Sequence, residues 1–337
     1  MDKLEQKSLN LIKKFTKGKK HLKLNIGFLI DNKTTSMTFD ETGEIDFENH
    51  IYEIGSLTKT FTASLLAKYV YENKMSLNDP INKYIPELVQ DKYYPSLLKL
   101  ATHTSGYPST YPFSKWENFK MLMDVLFCSN KMKRQNPLNM EYAKMLELIK
   151  KSQVKDKEYK PEYSNFGVAL LGNVIGSVSG SGYLDTMEDF LKNELKLQST
   201  FLGTNKDKNL NGYNSKNENC GNWKWENNNL LIAPAGALSS TAEDLLVFAK
   251  ANVFEEKPYF ALCHQEYAKI SKNESVGLAW GIEKKDIYNH MGATGTFFSY
   301  LAFNKNKKNA IVLLSNYKSD IGLLIKIINL ITEELKK

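Results

Sequence analysis

Two side chains that can act together in catalysis occur at Ser56 and Lys59. Positions three apart lie on one face of a helical turn, so this hydroxyl and this amine can reach each other there. A serine hydroxyl becomes a good nucleophile when a neighbouring base takes its proton, and a lysine can be that base where burial lowers its pKa. Apolar Leu57 and Phe61 favour such burial of Lys59. The pair therefore indicates attack on a carbonyl group, although a capping serine followed by a surface lysine has the same spacing.

Two later segments add further polar groups. The triplet YSN at 163–165 follows a proline and precedes an apolar stretch that predicts a helix. The segment HMGATG at 290–295 precedes a strand-like run. Taken alone, the first segment is typical of a tyrosine anchor with a helix cap, and the second of a glycine-rich turn.

In this order the three segments resemble the motif set of the class C β-lactamases and the D-alanyl-D-alanine carboxypeptidases, which is S-x-x-K, then Y-x-N, then K-x-G or H-x-G. Three other segments are similar to that family as well. They are LATHTSGYP at 100–108, PAGALSSTAEDL at 234–245 and GLAWG at 277–281. Because the resemblance extends from about Asn25 to the last helix, it is specific for the fold and for the class of active site.

The resemblance implies a role for each matched side chain. Ser56 would form an acyl-enzyme, and Lys59 and Tyr163 would share the proton transfers, with either of them as the base. For Tyr163 to act as a base near neutral pH, the ammonium of Lys59 would have to lower its pKa from about 10. Asn165 is expected to hold Lys59 and the substrate amide.

The same resemblance implies how the negative charge of the reaction is stabilised. The backbone N–H groups of Ser56 and of Ala293, which follows Gly292, are expected to form an oxyanion hole. Such donors supply the stabilisation that a metal ion gives in other hydrolases, so we expect no metal and no organic cofactor. The remaining histidines, His103 among them, are expected to serve in packing or solvent contact.

One residue of the third motif departs from the efficient class C β-lactamases. The chain has His290 where those enzymes carry lysine. A lysine is a permanent cation for a β-lactam carboxylate, whereas an unperturbed histidine is largely neutral at pH 7. We therefore expect weak recognition of anions and little β-lactamase activity, as in the carboxypeptidase, D-aminopeptidase and esterase branches that the chain resembles.

These features lead to three hypotheses of function. The first is a serine peptidase or amidase acting on small peptides that contain D-amino acids or modified residues. The second is a carboxylesterase that acts on small acyl esters with the same residues. The third is a β-lactam- or peptide-binding module with little turnover. The intact set of Ser56, Lys59, Tyr163 and Asn165 argues against this third hypothesis.

The elements that carry these motifs can be predicted from the spacing of apolar residues. An amphipathic N-terminal helix precedes a β-hairpin, whose runs at 21–30 and 34–39 flank a polar turn. A helix begins at Ser56 and ends before the turn-forming cluster at 78–80. A capping-box pattern at 240–243 begins another helix.

Strand-like runs return near the end of the chain and predict the fold class. They lie at 277–282, 295–303 and 309–315, before a final helix at 321–335. We expect an α/β (α+β) fold of the β-lactamase/transpeptidase type, with a mostly antiparallel sheet from both termini flanked by helices.

The same pattern predicts how the chain divides. Residues 1–78 and 230–337 would form a discontinuous sheet domain, and 79–229 an inserted subdomain that is mainly or wholly helical. The active site would lie in the cleft between them. Loops at 107–116 and 205–229 are expected to determine the choice of substrate.

The composition excludes several other classes of protein. The 45 Lys plus Arg and 38 Asp plus Glu residues are dispersed and give a net charge of +7, so we expect no nucleic-acid partner. Cys128, Cys220 and Cys263 lack the spacing of a metal site or a disulfide framework. No apolar run has the ~20 residues of a membrane span, and no signal peptide is visible. We expect a cytoplasmic protein whose partner is a small molecule or a peptide.

Overall fold

The computed structural model describes residues 5–109, 140–205, 207–225, 227–284 and 286–336. The strands of this part are β1 (Leu24–Ile30), β2 (Lys33–Asp40), β3 (Gly43–Ile45), β4 (Tyr52–Glu53), β5 (Phe201–Leu202), β6 (Gly212–Tyr213), β7 (Asn219–Gly221), β8 (Leu238–Ser240), β9 (Ala268–Lys269), β10 (Glu274–Val276), β11 (Gly281–Glu283), β12 (Ile287–Ala293), β13 (Phe298–Asn304) and β14 (Asn309–Ser315). The α-helices are α1 (Gln6–Thr16), α2 (Thr58–Tyr71), α3 (Leu97–Ala101), α4 (Tyr142–Lys151), α5 (Asn165–Ser179), α6 (Gly182–Asp189), α7 (Ala242–Val253), α8 (Phe260–Cys263) and α9 (Ile321–Glu334).

A large sheet joins the two ends of the chain. Within the described residues it has nine strands in the order β3-β2-β1-β14-β13-β12-β11-β10-β9, and its neighbours pair antiparallel. Strand β1 pairs with β2 on one side and with β14 on the other. The expected antiparallel sheet from both termini is therefore confirmed.

The predicted hairpin at the start of the sheet is present. Ile30 pairs with Lys33, which leaves Asp31 and Asn32 as a two-residue turn. Both have positive φ, 49° and 62°, and this backbone matches the right-handed twist of the flanking strands. Short polar side chains tolerate that conformation better than others do, so the sequence specifies this turn locally.

Helices cover both faces of the sheet, because its central strands are apolar on both sides. Side chains alternate along a strand, so neighbours such as Leu313 and Leu314 on β14 point to opposite faces. Leu313 packs with Phe15 of α1 and Ile327 of α9. Leu314 belongs to the larger core, which includes Leu246 of α7 together with side chains of α2 and α5.

The segment between the sheet strands is mainly helical and not wholly helical. It contains helices α3 to α6 and also the short strands β5, β6 and β7. Strand β5 pairs with β8, and β8 pairs with β4, which directly precedes the Ser56 turn. These strands are two or three residues long, too short for apolar alternation to show them in the sequence.

The strand predicted at 277–282 is wrong. Strand β10 ends at Val276 and β11 begins at Gly281, so most of this apolar run is the turn that joins them. The turn is buried because its backbone N–H groups find partners outside the sheet. Leu278 donates to the Cys263 carbonyl at 3.0 Å, and Ala279 donates to the Ala101 carbonyl at 2.9 Å. Burial without strand pairing explains the apolar composition that suggested a strand.

Across the described ranges, the structure contains no helix with the length and apolar character needed to span a membrane.

Candidate active site

Ser56 lies in a short 3-10 turn, Gly55–Leu57, which leads directly into α2. This turn sits against the end of β12, and two glycines permit the contact. A Cβ on Gly55, whose φ is +51°, would lie 2.6 Å from the Ala293 carbonyl oxygen. A Cβ on Gly292 would lie 2.0 Å from the carbonyl oxygen of Ile54. The absence of these side chains lets the backbones approach, so the expected oxyanion-hole residues, Ser56 and Ala293, are close neighbours.

Lys59 is fully buried in the first turn of α2. Its Nζ lies 3.1 Å from Ser56 Oγ and donates to the Ala235 carbonyl oxygen at 2.6 Å. Burial lowers the pKa of Lys59 well below its usual value, because the ammonium form loses its water. The neutral amine has a lone pair that can take the proton of Ser56. The burial expected from the neighbouring apolar residues is therefore present.

Tyr163 approaches the serine from the segment that precedes α5. Its hydroxyl donates to Ser56 Oγ at 2.5 Å, and Lys59 Nζ lies 4.8 Å from the centre of its ring. The side chain is 42% exposed, and the serine that accepts its hydrogen bond is half-buried. The loss of water around the phenol raises the pKa of Tyr163 to about 12.

The pKa shift expected for Tyr163 is therefore wrong in direction. We expected the ammonium of Lys59 to lower the pKa of the phenol. The loss of water around the phenol outweighs the lowering effect of its hydrogen bond to Ser56. Tyr163 keeps its proton near neutral pH and is a donor to Ser56.

Asn165 is the first residue of α5 and is half-buried. The helix cap is the preceding Ser164, whose Oγ accepts from the Gly167 N–H at 2.9 Å. Among the described residues, Lys59 Nζ donates to Ser56 Oγ and to the Ala235 carbonyl oxygen, and it makes no hydrogen bond with Asn165. A role for the Asn165 amide in holding a substrate stays a prediction.

His290 lies on β12 and is buried beside the serine turn. Its Nδ1 lies 2.6 Å from the Ala279 carbonyl oxygen, so Nδ1 carries the proton and donates it there. Burial, with a smaller effect of Lys59, lowers the pKa of His290 to about 4. The ring is neutral at pH 7, and the third motif therefore supplies no permanent cation.

The arrangement can activate a hydroxyl for attack on a carbonyl carbon. Three groups converge, since the hydroxyl of Tyr163 and the amine of Lys59 both lie within 3.1 Å of Ser56 Oγ. These are the parts of a nucleophile with an adjacent base and a proton donor. The model of the Beta-lactamase family matches residues 15–331, a range that includes all three. The chain belongs to the Beta-lactamase family.

Individual proteins also match this chain along most of its length, at low sequence identity. A β-lactamase of Providencia stuartii is 26% identical over 309 residues, which covers 79% of this chain and 73% of the relative. Protein flp of Staphylococcus aureus strain MW2 is 24% identical over 80% of this chain, which spans 53% of that longer protein. The chain is accordingly a serine hydrolase of the Beta-lactamase family.

A solved structure of the family confirms the fold class. The β-lactamase/D-alanine carboxypeptidase from Pseudomonas syringae superposes with a TM-score of 0.78 and 20% identity, over 97% of each chain. At this identity the likeness establishes the architecture only, that is, a large antiparallel sheet flanked by helices.

Sequence reasoning missed one backbone group of this family's site. The Ala235 carbonyl holds Lys59, but a backbone carbonyl leaves no mark of its own on residue type. The available signal was the place of Ala235 as the second residue of the segment 234–245, which is similar to the family. His103, which we expect to serve in packing, has its ring 4.8 Å from the ring of Tyr163.

Other expectations concern residues at some distance from this family's catalytic groups. Within the described ranges, no group of three or more His, Cys, Asp or Glu side chains is placed to hold a metal ion. Cys220 and Cys263 are both buried, and Cys128 lies outside the described residues. Positions 110–116 of the first predicted substrate loop, and positions 206 and 226 of the second, lie outside them too.

Proposed function

We propose that Ser56 is the nucleophile of this serine hydrolase, and that its substrates are small peptides or amides containing D-amino acids or modified residues. The observation that carries the proposal is the pair of short approaches to Ser56 Oγ. Lys59 Nζ lies 3.1 Å away on one side, and the Tyr163 hydroxyl lies 2.5 Å away on the other. A serine with one neutral amine and one phenol at hydrogen-bond distance is prepared for proton transfer.

The acylation step follows from the protonation states. Ser56 Oγ attacks the substrate carbonyl carbon while its proton passes to the neutral amine of Lys59. The carbonyl oxygen becomes an oxyanion, and the N–H groups of Ser56 and Ala293 stabilise it. The C–N bond then breaks as a proton passes to the leaving amine, with the Tyr163 hydroxyl as the relay. An acyl ester on Ser56 remains.

In deacylation, water takes the place of Ser56 as the nucleophile and Lys59 is again the base. A water molecule attacks the acyl carbon, and Lys59, having given up its proton in the first step, takes one from that water. The ester bond breaks, Ser56 Oγ recovers a proton and the carboxylic acid leaves. The substrate is cleaved by one water molecule, so the cycle consumes no other reactant.

The proposed substrate class rests on the charge at the third motif. His290 is neutral at pH 7 and donates to a backbone carbonyl, so it offers no fixed positive charge to a β-lactam carboxylate. This supports the peptidase and amidase branch over efficient β-lactam hydrolysis. The Pseudomonas syringae structure, described as a β-lactamase and a D-alanine carboxypeptidase, is consistent with that choice.

A matched set of substrates tests this proposal. We would compare two small peptide amides that differ only in the D or L configuration of the residue bearing the scissile carbonyl, together with the ester of the D form. We expect kcat/KM for the D amide to exceed that of the L amide by ~10-fold or more, and Ser56→Ala to abolish both activities.

Two other outcomes would replace the proposal. Turnover of the ester alone would identify a carboxylesterase that uses the same residues. Covalent labelling of Ser56 without turnover of any member of the set would indicate a binding module.

A further inference from the structure

The side chain of His103 packs against the ring of Tyr163. The two ring centres are 4.8 Å apart, with a tilt of 38° between the planes. His103 itself is only 8% exposed, whereas Tyr163 is 42% exposed. A buried ring therefore packs against a phenol that is itself partly exposed.

His103 is also bonded to the backbone on both sides of Tyr163. The N–H of Glu162 donates to the His103 carbonyl oxygen at 2.8 Å. The N–H of Ser164 donates to Nδ1 of the His103 ring at 3.2 Å. The residues immediately before and after Tyr163 are thus both held by one residue that is sixty positions away in the chain.

The second of these bonds requires one form of the histidine ring. Nδ1 can accept a hydrogen bond only when it carries no proton, so the proton of the neutral ring is on Nε2. Burial, with smaller effects of Lys59 and His290, lowers the pKa of His103 to about 3, which keeps the ring neutral. The ring can therefore support Tyr163 without placing a positive charge near Lys59.

The backbone of His103 restricts what can replace it. Its φ is +59°, a conformation that few residues other than glycine, asparagine and aspartate adopt readily. Asparagine tolerates this backbone and can place an amide oxygen where Nδ1 stands. Phenylalanine would keep a ring against Tyr163 but offers no acceptor.

We propose that His103 is a positioning residue for Tyr163, which it holds on Ser56 through the ring contact and the acceptor at Nδ1. The inference rests on the proposed function, because it assumes that the Tyr163 hydroxyl relays a proton at Ser56. Tyr163 must keep its hydroxyl at 2.5 Å from Ser56 Oγ although much of its side chain is unsupported by packing. A displacement of ~1 Å at such a point can slow a reaction by ~100-fold.

The experiment compares wild type with His103→Asn and His103→Phe. We would measure acylation of Ser56 by a fluorophosphonate probe, separating the maximal rate from the probe concentration at half-maximal rate, and record thermal unfolding of each variant. We expect His103→Asn to keep the maximal rate within ~10-fold of wild type, and His103→Phe to lose ~100-fold, with the half-maximal concentration unchanged in both. A crystal structure of each folded variant would give the distance from the Tyr163 hydroxyl to Ser56 Oγ.

Two results would overturn the proposal. One is a maximal acylation rate in His103→Phe equal to that of wild type. The other is a folded His103→Asn whose maximal acylation rate falls as much as that of His103→Phe. If His103→Phe does not fold, the maximal acylation rate of His103→Asn still tests the proposal, because a loss of ~100-fold in a folded variant would contradict it. Failure of the probe to label wild-type Ser56 would instead contradict the proposed function, and the position of the Tyr163 hydroxyl in the variant crystals would then judge the inference about His103 by itself.

Discussion

At the scale of single residues, the protonation states of two groups determine how the site works. Loss of water disfavours charge on both, so it lowers the pKa of Lys59 and raises the pKa of Tyr163. Of the two bases that the sequence left open, this favours Lys59. Tyr163 donates a hydrogen bond to Ser56 Oγ, and in the proposed mechanism it relays a proton without forming a phenolate in the resting site.

The base assignment predicts a pH profile. Lys59 can take a proton only in its neutral form, so acylation should fall as the pH drops through its lowered pKa and level off above it. Tyr163, with a pKa of about 12, should cause no loss of activity in the mildly alkaline range. The measurement is the acylation rate of a neutral probe between pH 5 and about 10.

Substitution of the base gives the matching test. Lys59→Met keeps a long apolar side chain in the buried position but removes the amine, and we expect acylation to slow by ~1,000-fold. Lys68→Met is the control and should acylate like wild type, because Lys68 is half-buried in the last turn of the same helix, where it pairs with Glu72. A Lys59→Met variant that keeps both the rate and the acid limb of the profile would exclude Lys59 as the base.

The sequence predicted the residues of the site better than their electrostatics. The three-residue spacing of Ser56 and Lys59 specifies their contact, since it places both side chains on one face of a helical start. The pKa of Tyr163 depends on how much water surrounds its hydroxyl, which tertiary packing decides. The hydrogen bond from Lys59 to the Ala235 carbonyl could not be predicted from the sequence either, because only the fold determines where a backbone group points.

At the scale of elements, local turn chemistry was predictable and buried connections were not. The pair Asp31 and Asn32 forms the expected hairpin turn because those side chains tolerate positive φ. The helix predicted from the capping pattern at 240–243 is also present, although Thr241 is its cap and accepts from the Asp244 N–H at 3.2 Å. Residues 277–280 looked like a strand because they are apolar, but they form a turn buried by contacts distant in sequence.

The contact between the serine turn and β12 gives a prediction at this scale. In Gly292→Ala, the new Cβ would be 2.0 Å from the Ile54 carbonyl oxygen, so the turn or the strand must shift. We expect a lower melting temperature and acylation slowed by ~100-fold. Gly322→Ala is the matched control, because a Cβ there meets nothing within 4 Å and lies in the first turn of α9.

If Gly292→Ala has the same melting temperature and acylation rate as Gly322→Ala, the close approach of the serine turn to β12 does not position Ser56.

At the scale of the whole molecule, the sheet from both termini assembles a site from distant segments. Ser56 and Tyr163 meet although 107 positions separate them, and His290 lies on β12, a strand from the C-terminal part of the chain. Order and spacing of the motifs were enough to predict this assembly through family resemblance. The division into a sheet domain and an inserted subdomain at 79–229 stays a prediction.

The central claim is that this fold produces an activated Ser56, and mass spectrometry of the intact protein tests it most directly. Wild type and Ser56→Ala would be incubated with a fluorophosphonate or a reactive β-lactam, with thermal unfolding to show that the variant folds. We expect a mass increase of one adduct on wild type and none on Ser56→Ala. No adduct on either protein, or an equal adduct on both, would contradict it.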